Sequence, residues 1–188
     1  MVNTSTDMTA AVPGGGAMVE ALAAMGFAGL DFGFGSLPLV SLDQGAFKMS
    51  DGSSLGEEFY CMMKQSRPKY LFKTALAQND PRHDLCYSYD GVTDTKGAPV
   101  QDKISAWERM GISHEKKSYL EVFATLTNGD TVLLSIPPTS VRRFSALIGN
   151  MAGKGLPVAD TWVRVFKGLK VTNVSVPFVP WGFEIYAG

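Results

Sequence analysis

The dipeptide Asn128-Gly129 is the feature that most constrains how this chain can fold. Two runs rich in β-branched and aromatic residues flank it, at 119–127 and 131–136. Asn and Gly accept the positive φ angles of a tight turn, so the pattern predicts an antiparallel hairpin with a two-residue loop. Both faces of this ribbon carry apolar residues, which is typical of a central position in a sheet. Two opposite pairs are expected, Phe123 with Leu134 and Thr125 with Val132.

Shorter β-rich runs on both sides of the hairpin predict a mainly β domain. The candidate strands are residues 37–42, 46–49, 58–65, 70–74, 162–166, 169–176 and 183–186. Ser66-Arg-Pro68 is expected to interrupt the β-structure between the strands at 58–65 and 70–74, because proline cannot donate a hydrogen bond to a β-ladder. A polar, turn-rich stretch at residues 78–118 is typical of a long ordered loop insertion, with a short helix near 104–110.

One main helix is predicted at about residues 139–152, where apolar side chains recur at helical spacing. Thr139 or Ser140 is expected to cap its first turn. The order of strands, loop, hairpin, helix and strands favours an OB-fold-like, partly open β-barrel over an alternating β/α sheet. Residues 1–34 are expected to form a flexible N-terminal arm with a candidate short helix at 18–25, which leaves residues 35–188 as the folded domain.

Residue patterns of common enzymes and metal sites do not occur in this sequence. GxSxG, P-loop, HExxH and GxGxxG motifs are all missing. His83 and Cys86 have a metal-like spacing, but Cys61 and His114, which could complete four zinc ligands, are not paired with them in the sequence. The loop acids lack a calcium-loop pattern. The apolar stretch at 17–30 is too short to span a bilayer. We therefore expect a cytoplasmic, non-enzymatic protein with no metal, no cofactor and no membrane segment.

The net charge of −1 conceals four segments of alternating sign. Residues 1–58 carry a net −6 and residues 80–130 a net −3, whereas residues 59–79 carry +4 and residues 131–183 carry +5; Glu184 brings the sum to −1. If the two basic segments lie side by side in one sheet, they form a positive face suited to a polyanion. The alternative is that these bases are solvated residues that protect strand edges from aggregation.

Aromatic residues are interleaved with the bases in both basic segments and in the long loop. Single-stranded nucleic acid needs both ingredients, since cations neutralise phosphates and flat rings stack on bases. The alternative is that most of these rings belong to the core. Trp162, Arg164 and Phe166 are expected to share one exposed face, because Val163 and Val165 have the opposite strand parity. The candidate nucleic-acid-binding residues are Lys64, Arg67, Lys69, Tyr70, Phe72, Tyr87, Tyr89, Trp107, Trp162, Arg164, Phe166 and Lys167.

The order of several short motifs resembles a family of single-stranded DNA-binding proteins encoded by tailed bacteriophages and prophages. The resemblance covers roughly residues 35–186 and is carried mainly by two motifs, Cys86-Tyr-Ser-Tyr-Asp-Gly91 and Pro137-Pro-Thr-Ser140. Ala46–Gly52, Ser66–Phe72, Gly97-Ala-Pro99 and Asp160–Arg164 add to it. Some members carry further cysteines after the Asp-Gly loop, whereas this chain has Ala106-Trp-Glu-Arg-Met110 there, so no metal is expected in that loop.

The resemblance implies an OB-fold core that binds single-stranded DNA without strong sequence preference during phage DNA replication or recombination. Single-stranded DNA is then the partner, phage or host replication and recombination proteins are candidate further partners, and homodimerisation stays open. An alternative of another class is a phage-encoded module that uses the same barrel to bind a host protein. A weaker third hypothesis is a nuclease that uses the acids of the long loop.

Overall fold

The computed structural model of the protein describes residues 37–43, 45–174 and 176–186. Within these residues the chain forms nine β-strands and two α-helices. The strands are β1 (Leu39–Asp43), β2 (Ala46–Met49), β3 (Ser54–Gly56), β4 (Glu58–Thr74), β5 (Leu85–Ser88), β6 (His114–Leu126), β7 (Thr131–Ile136), β8 (Trp162–Lys167) and β9 (Trp181–Ile185). The helices are α1 (Val100–Arg109) and α2 (Pro138–Gly153). The predicted arm at residues 1–34, with its candidate helix at 18–25, lies outside the described residues.

The strands join in one strongly curled sheet that forms an open half-barrel. Their order is β3-β2-β1-β7-β6-β4-β8-β9, and β5 pairs with the far end of β4. These pairs are antiparallel, apart from the parallel pair of β1 and β7. The predicted fold class, a mainly β and OB-fold-like partly open barrel, is therefore confirmed.

The main hydrophobic core lies inside this half-barrel, and α2 packs against β9 and β6 to cover it. The apolar stripe of the predicted helix supplies this contact, through Phe144, Leu147, Ile148 and Met151. The observed helix extends the predicted one by one residue at each end. Cys61 also lies in this core, where burial raises the pKa of its thiol to about 12, so the thiol stays protonated at neutral pH.

The start of α2 differs from the predicted cap. Pro137 holds the N-cap position, and no side chain of the described residues caps the first turn. Ser140 is instead fully buried, and its Oγ accepts a hydrogen bond of 2.9 Å from the backbone N–H of Trp181. The hydroxyl of Ser140, one of the two expected caps, therefore joins α2 to β9.

The hairpin of β6 and β7 forms around Asn128-Gly129, but the predicted register was wrong by one residue. Phe123 lies opposite Leu133, and Thr125 lies opposite Thr131. The N–H of Leu126 donates to the carbonyl of Asp130 at 2.8 Å, which leaves three residues in the loop instead of two. Gly129 has a φ of 89°, the left-handed conformation that the last position of a three-residue loop requires. An Asn-Gly pair suits both loop lengths, so the dipeptide alone could not decide between them.

The 17-residue strand β4 continues through Ser66-Arg-Pro68, where a break was predicted. β8 pairs with residues 58–62 and β5 with residues 70–73, so Pro68 lies where β4 has β6 alone beside it among the described strands. The missing N–H of proline costs little on a strand side that has no neighbour. Lys64 is the extra residue of a bulge, because Met63 lies opposite Ala124 and Gln65 opposite Phe123.

The predicted loop insertion is a small folded unit with its own hydrophobic cluster. β5 and α1 lie within it, and α1 begins four residues before the predicted helix. Val100, Trp107 and Ile112 pack with Cys86 and with Phe72 of β4. The indole N–H of Trp107 donates to the Asp84 carboxylate at 3.1 Å, which fixes α1 over this side of the sheet. Long insertions that stay ordered usually need such a local core.

The predicted strand at residues 169–176 does not form, so that prediction was wrong. The segment contributes one isolated bridge, Val171 to Phe178, and Leu169 is 90% exposed. Pro177 and Pro180 follow closely and remove two of the N–H groups that a longer ladder would use. No helix in the described part of the chain has both the length and the apolar character needed to cross a membrane.

Candidate nucleic-acid interface

The alternation of side chains along β4 divides the predicted binding residues between two faces of the sheet. After the bulge at Lys64, Arg67 lies opposite Glu121 and Lys69 opposite Tyr119, on the side away from the barrel core. Tyr70 and Phe72 lie on the other side, which α1 and its cluster cover. We call the outward side chains of residues 67–73, 85–87 and 115–121, together with that of Tyr89, the ribbon face. Its members are Arg67, Lys69, Leu71, Lys73, Leu85, Tyr87, Tyr89, Glu115, Lys117, Tyr119 and Glu121.

A buried carboxylate holds the two central cations of the ribbon face. Glu121 is 1% exposed, and its oxygens lie 2.7 Å from Nζ of Lys69 and 2.7 Å from a terminal nitrogen of Arg67. Charge-assisted hydrogen bonds of this length fix both side chains in one geometry. Because two cations face a single carboxylate, the group keeps one net positive charge.

Two tyrosine rings lie against the same two cations. The guanidinium carbon of Arg67 is 3.8 Å from the ring centre of Tyr89, and Nζ of Lys69 is 4.7 Å from that of Tyr87. Both distances are within the range of cation–π attraction. Tyr89 is 37% exposed, so part of its ring is open to solvent beside the charge. Burial raises the pKa of the neighbouring Tyr119 hydroxyl, helped by Tyr87.

The far end of the ribbon face is also positive. Lys73 and Lys117 lie 3.6 Å and 3.7 Å from the same carboxylate oxygen of Glu115. Glu115 is exposed, so its ion pairs with Lys73 and Lys117 are solvated and contribute little to stability. Two lysines again face one carboxylate, so the charge of the ribbon face is net positive along its length.

The outward residues of β8 form a second group, which we call the β8 patch. Val163 and Val165 are fully buried, and Trp162, Arg164 and Phe166 share the opposite face, as their parity predicted. Arg164 lies 4.9 Å above the Phe166 ring. Its guanidinium donates to Glu58 at 3.1 Å and to Glu184 at 3.2 Å, so two carboxylates surround one cation. The β8 patch is therefore net negative around Arg164, contrary to the positive face that its sequence suggested.

Several other predicted binding residues lie off the ribbon face. Trp107 and Phe72 belong to the buried cluster under α1 and are 1% and 5% exposed, so neither ring is open to a base, and their assignment is corrected. Tyr70 packs on that side too, with Nζ of Lys116 at 4.4 Å from its ring centre. The ammonium of Lys64 donates to the carbonyl of Ala159 at 2.7 Å. Lys167 has the parity of Val165 and pairs with Glu57.

Sequence reasoning missed the residues that set the charge of these faces. Glu121 comes from β6, 54 residues away from Arg67, so nothing in the local sequence joins them. Lys73 could have been found from the sequence, because it lies in the basic segment 59–79 and has the same strand parity as Lys69. The pairing of β4 with β6 was the missing information.

The acids of the long loop hold the loop together. Asp80 pairs with Arg82, and Asp84 accepts hydrogen bonds from Lys103 and Trp107. Asp90 accepts from the backbone N–H groups of Val92 and Thr93 at 2.8 Å each. No three potential metal-ligating side chains of the described residues come together. The Cys86–Gly91 motif accordingly leads from β5 into a turn, where the Ser88 hydroxyl accepts a hydrogen bond from the N–H of Gly91.

No family model matches the chain, and no curated protein or solved structure shows significant similarity to it.

Proposed function

We propose that the protein binds single-stranded DNA along the ribbon face, without strong sequence preference. The observation that carries this proposal is the pairing of Arg67 with Tyr89 and of Lys69 with Tyr87 on one net-positive face. Cations beside partly exposed rings offer phosphate neutralisation and base stacking at the same place. The resemblance to phage and prophage single-stranded DNA-binding proteins agrees with it, and suggests action in the bacterial cytoplasm during phage DNA replication or recombination.

The proposal moves the centre of binding away from the β8 patch. Two carboxylates around Arg164 repel a phosphate, whereas the ribbon face has a surplus of cations at both of its ion-pair groups. Four cations lie on that face: Arg67, Lys69, Lys73 and Lys117. If three or four of them contact phosphates, log Kd changes with log salt concentration with a slope of about 2–3.

The test is anisotropy titration of a labelled oligo-dT with the full chain at two salt concentrations, with duplex DNA as competitor. Tyr89→Ala removes one stacking ring and is expected to weaken binding about 5- to 100-fold. Tyr186→Ala is the matched control, because Tyr186 is 48% exposed and packs on Tyr60 beside the β8 patch. An equal loss for both variants, or duplex DNA competing as well as single strands, would contradict the proposal.

A further inference from the structure

A groove of about 580 Å³ lies between α2 and β9. One stripe of α2 forms one wall, and the last strand of the sheet forms the other. Leu147 and Phe183, which also pack in the main core, make part of its lining apolar. Arg143, Lys154, Glu184 and Ile185 also line it. None of them belongs to the ribbon face.

β9 presents to this groove backbone groups that pair with no strand among the described residues. The N–H of Gly168 donates to Pro180 O at 2.8 Å, and the N–H of Tyr186 donates to Trp162 O at 2.9 Å. Hydrogen-bonded pairs alternate along an antiparallel ladder, so every second residue of β9 turns its N–H and C=O away from β8. These residues are Trp181, Phe183 and Ile185.

The hydrogen bond to Ser140 shows that the N–H of Trp181 points away from β8, toward α2. The Oγ of Ser140 accepts the N–H of Trp181, as described above. Nothing in the described part of the chain hydrogen-bonds to the outward N–H and C=O groups of Phe183 or to the N–H of Ile185. A strand edge of this kind can accept a further extended segment.

The cations of the groove also differ from those of the sheet faces. Arg143 and Lys154 are exposed and form no ion pair within the described residues, whereas Arg67, Lys69, Arg164 and Lys167 all pair with carboxylates. Glu184 is the acid among the lining residues, and its carboxylate is bound to Arg164 at 3.2 Å. Arg143 and Lys154 together outweigh Glu184, so the lining of the groove carries a net charge of +1.

We propose that this groove binds an extended, acidic segment of another protein, which adds as a strand to β9. The outward N–H and C=O groups of Phe183 and Ile185 supply main-chain hydrogen bonds, and Arg143 and Lys154 select acidic side chains. A strand edge that no described strand pairs with favours a peptide over nucleic acid, since a nucleic acid backbone has no N–H or C=O to extend the ladder. This role is independent of DNA binding on the ribbon face.

The first test is fluorescence anisotropy of the full chain with a labelled eight-residue peptide of alternating Asp and Ile. Arg143→Glu and Lys154→Glu are each expected to weaken binding about 5- to 20-fold. Arg142→Glu is the matched control, because Arg142 is exposed on the same helix and does not line the groove; its effect is expected to stay within about twofold. If all three variants lost peptide affinity equally, the proposal that the groove selects acidic side chains would be overturned.

The second test addresses the strand itself. The same peptide with N-methyl groups at alternate residues loses the N–H donors that would face β9, so its binding is expected to fall at least about tenfold. Amide exchange at Phe183 and Ile185 is expected to slow when the unmodified peptide binds. Equal binding of the methylated peptide, or protection of these amides by oligo-dT but not by the peptide, overturns the proposal. Tyr89→Ala is expected to leave peptide binding unchanged, which separates this result from that of DNA binding.

Discussion

At the scale of single residues, Glu121 decides how the ribbon face is charged. A carboxylate that is 1% exposed is costly to desolvate, and only the two hydrogen-bonded cations make its burial tolerable. Glu121 therefore orders Arg67 and Lys69 and at the same time cancels half of their charge. A phosphate that approaches these cations competes with a carboxylate already in place.

Glu121→Gln separates these two effects. The substitution keeps the size of the side chain but replaces charge-assisted hydrogen bonds with neutral ones, so the free energy of unfolding is expected to fall by about 1–3 kcal/mol. Oligo-dT is expected to bind about 2- to 10-fold more tightly at low salt, because the net charge beneath the rings rises by one. Urea unfolding and anisotropy titration measure the two quantities.

Glu115→Gln is the control for this variant, since Glu115 is an exposed acid on the same strand. Its effect on unfolding is expected to stay below about 0.5 kcal/mol. Weaker DNA binding by Glu121→Gln than by the native chain would show that the ordering of Arg67 and Lys69 matters more than their net charge.

At the scale of elements, the loop that follows β5 depends on an ionised Asp90. Hydrogen bonds from the backbone N–H groups of Thr93 and Val92, and then from the Ser88 hydroxyl, lower the pKa of Asp90 well below its ordinary value of 3.8. A carboxyl whose pKa is lowered by folding stabilises the folded chain above pH 3.8. That contribution is lost as the pH falls below 3.8 toward the pKa of the folded form.

Asp90→Asn is therefore expected to lower the urea midpoint at pH 6 and to make the further decrease between pH 4 and pH 2 shallower than in the native chain. The comparison is unfolding at a series of pH values, followed by the fluorescence of the tryptophans. Asp102→Asn is the matched control, because the Asp102 carboxylate accepts no hydrogen bond from a described residue. The same pH dependence for native chain and Asp90→Asn would count against this role of Asp90.

Local patterns predicted most of the elements, whereas contacts distant in sequence determined the site. Val163 and Val165 fixed the parity of β8, and the apolar spacing of α2 fixed its buried side, so both predictions are confirmed. The faces of the side chains of β4 could not be predicted in this way, because the bulge at Lys64 reverses the parity of all later residues. The charge of each face could not be predicted either, because Glu121 and Glu184 reach their partners only through strand pairing.

At the scale of the whole molecule, the segment charges acquire a spatial meaning. The basic segments do lie in one sheet through β4 and β8, as the sequence suggested, but acids from neighbouring strands interleave with them. The surplus of positive charge remains on the ribbon face and in the groove between α2 and β9, which lie on separate parts of the molecule. A near-neutral chain can in this way present two distinct surfaces to acidic partners.

Residues 1–34 extend this charge argument to the part of the chain outside the described residues. They carry Asp7, Glu20 and Asp31 and no Lys or Arg, so the side chains of this arm have a net charge of −3, of the same sign as DNA. If it competes with DNA for the ribbon face, deleting residues 1–34 is expected to tighten oligo-dT binding about 2- to 10-fold at low salt, with little difference at high salt, where screening weakens both. The control is a chain in which these three acids become Asn or Gln, which should reproduce the gain without shortening the chain. Unchanged or weaker affinity of both variants would refute the competition, because removing a competitor of like charge can only strengthen binding.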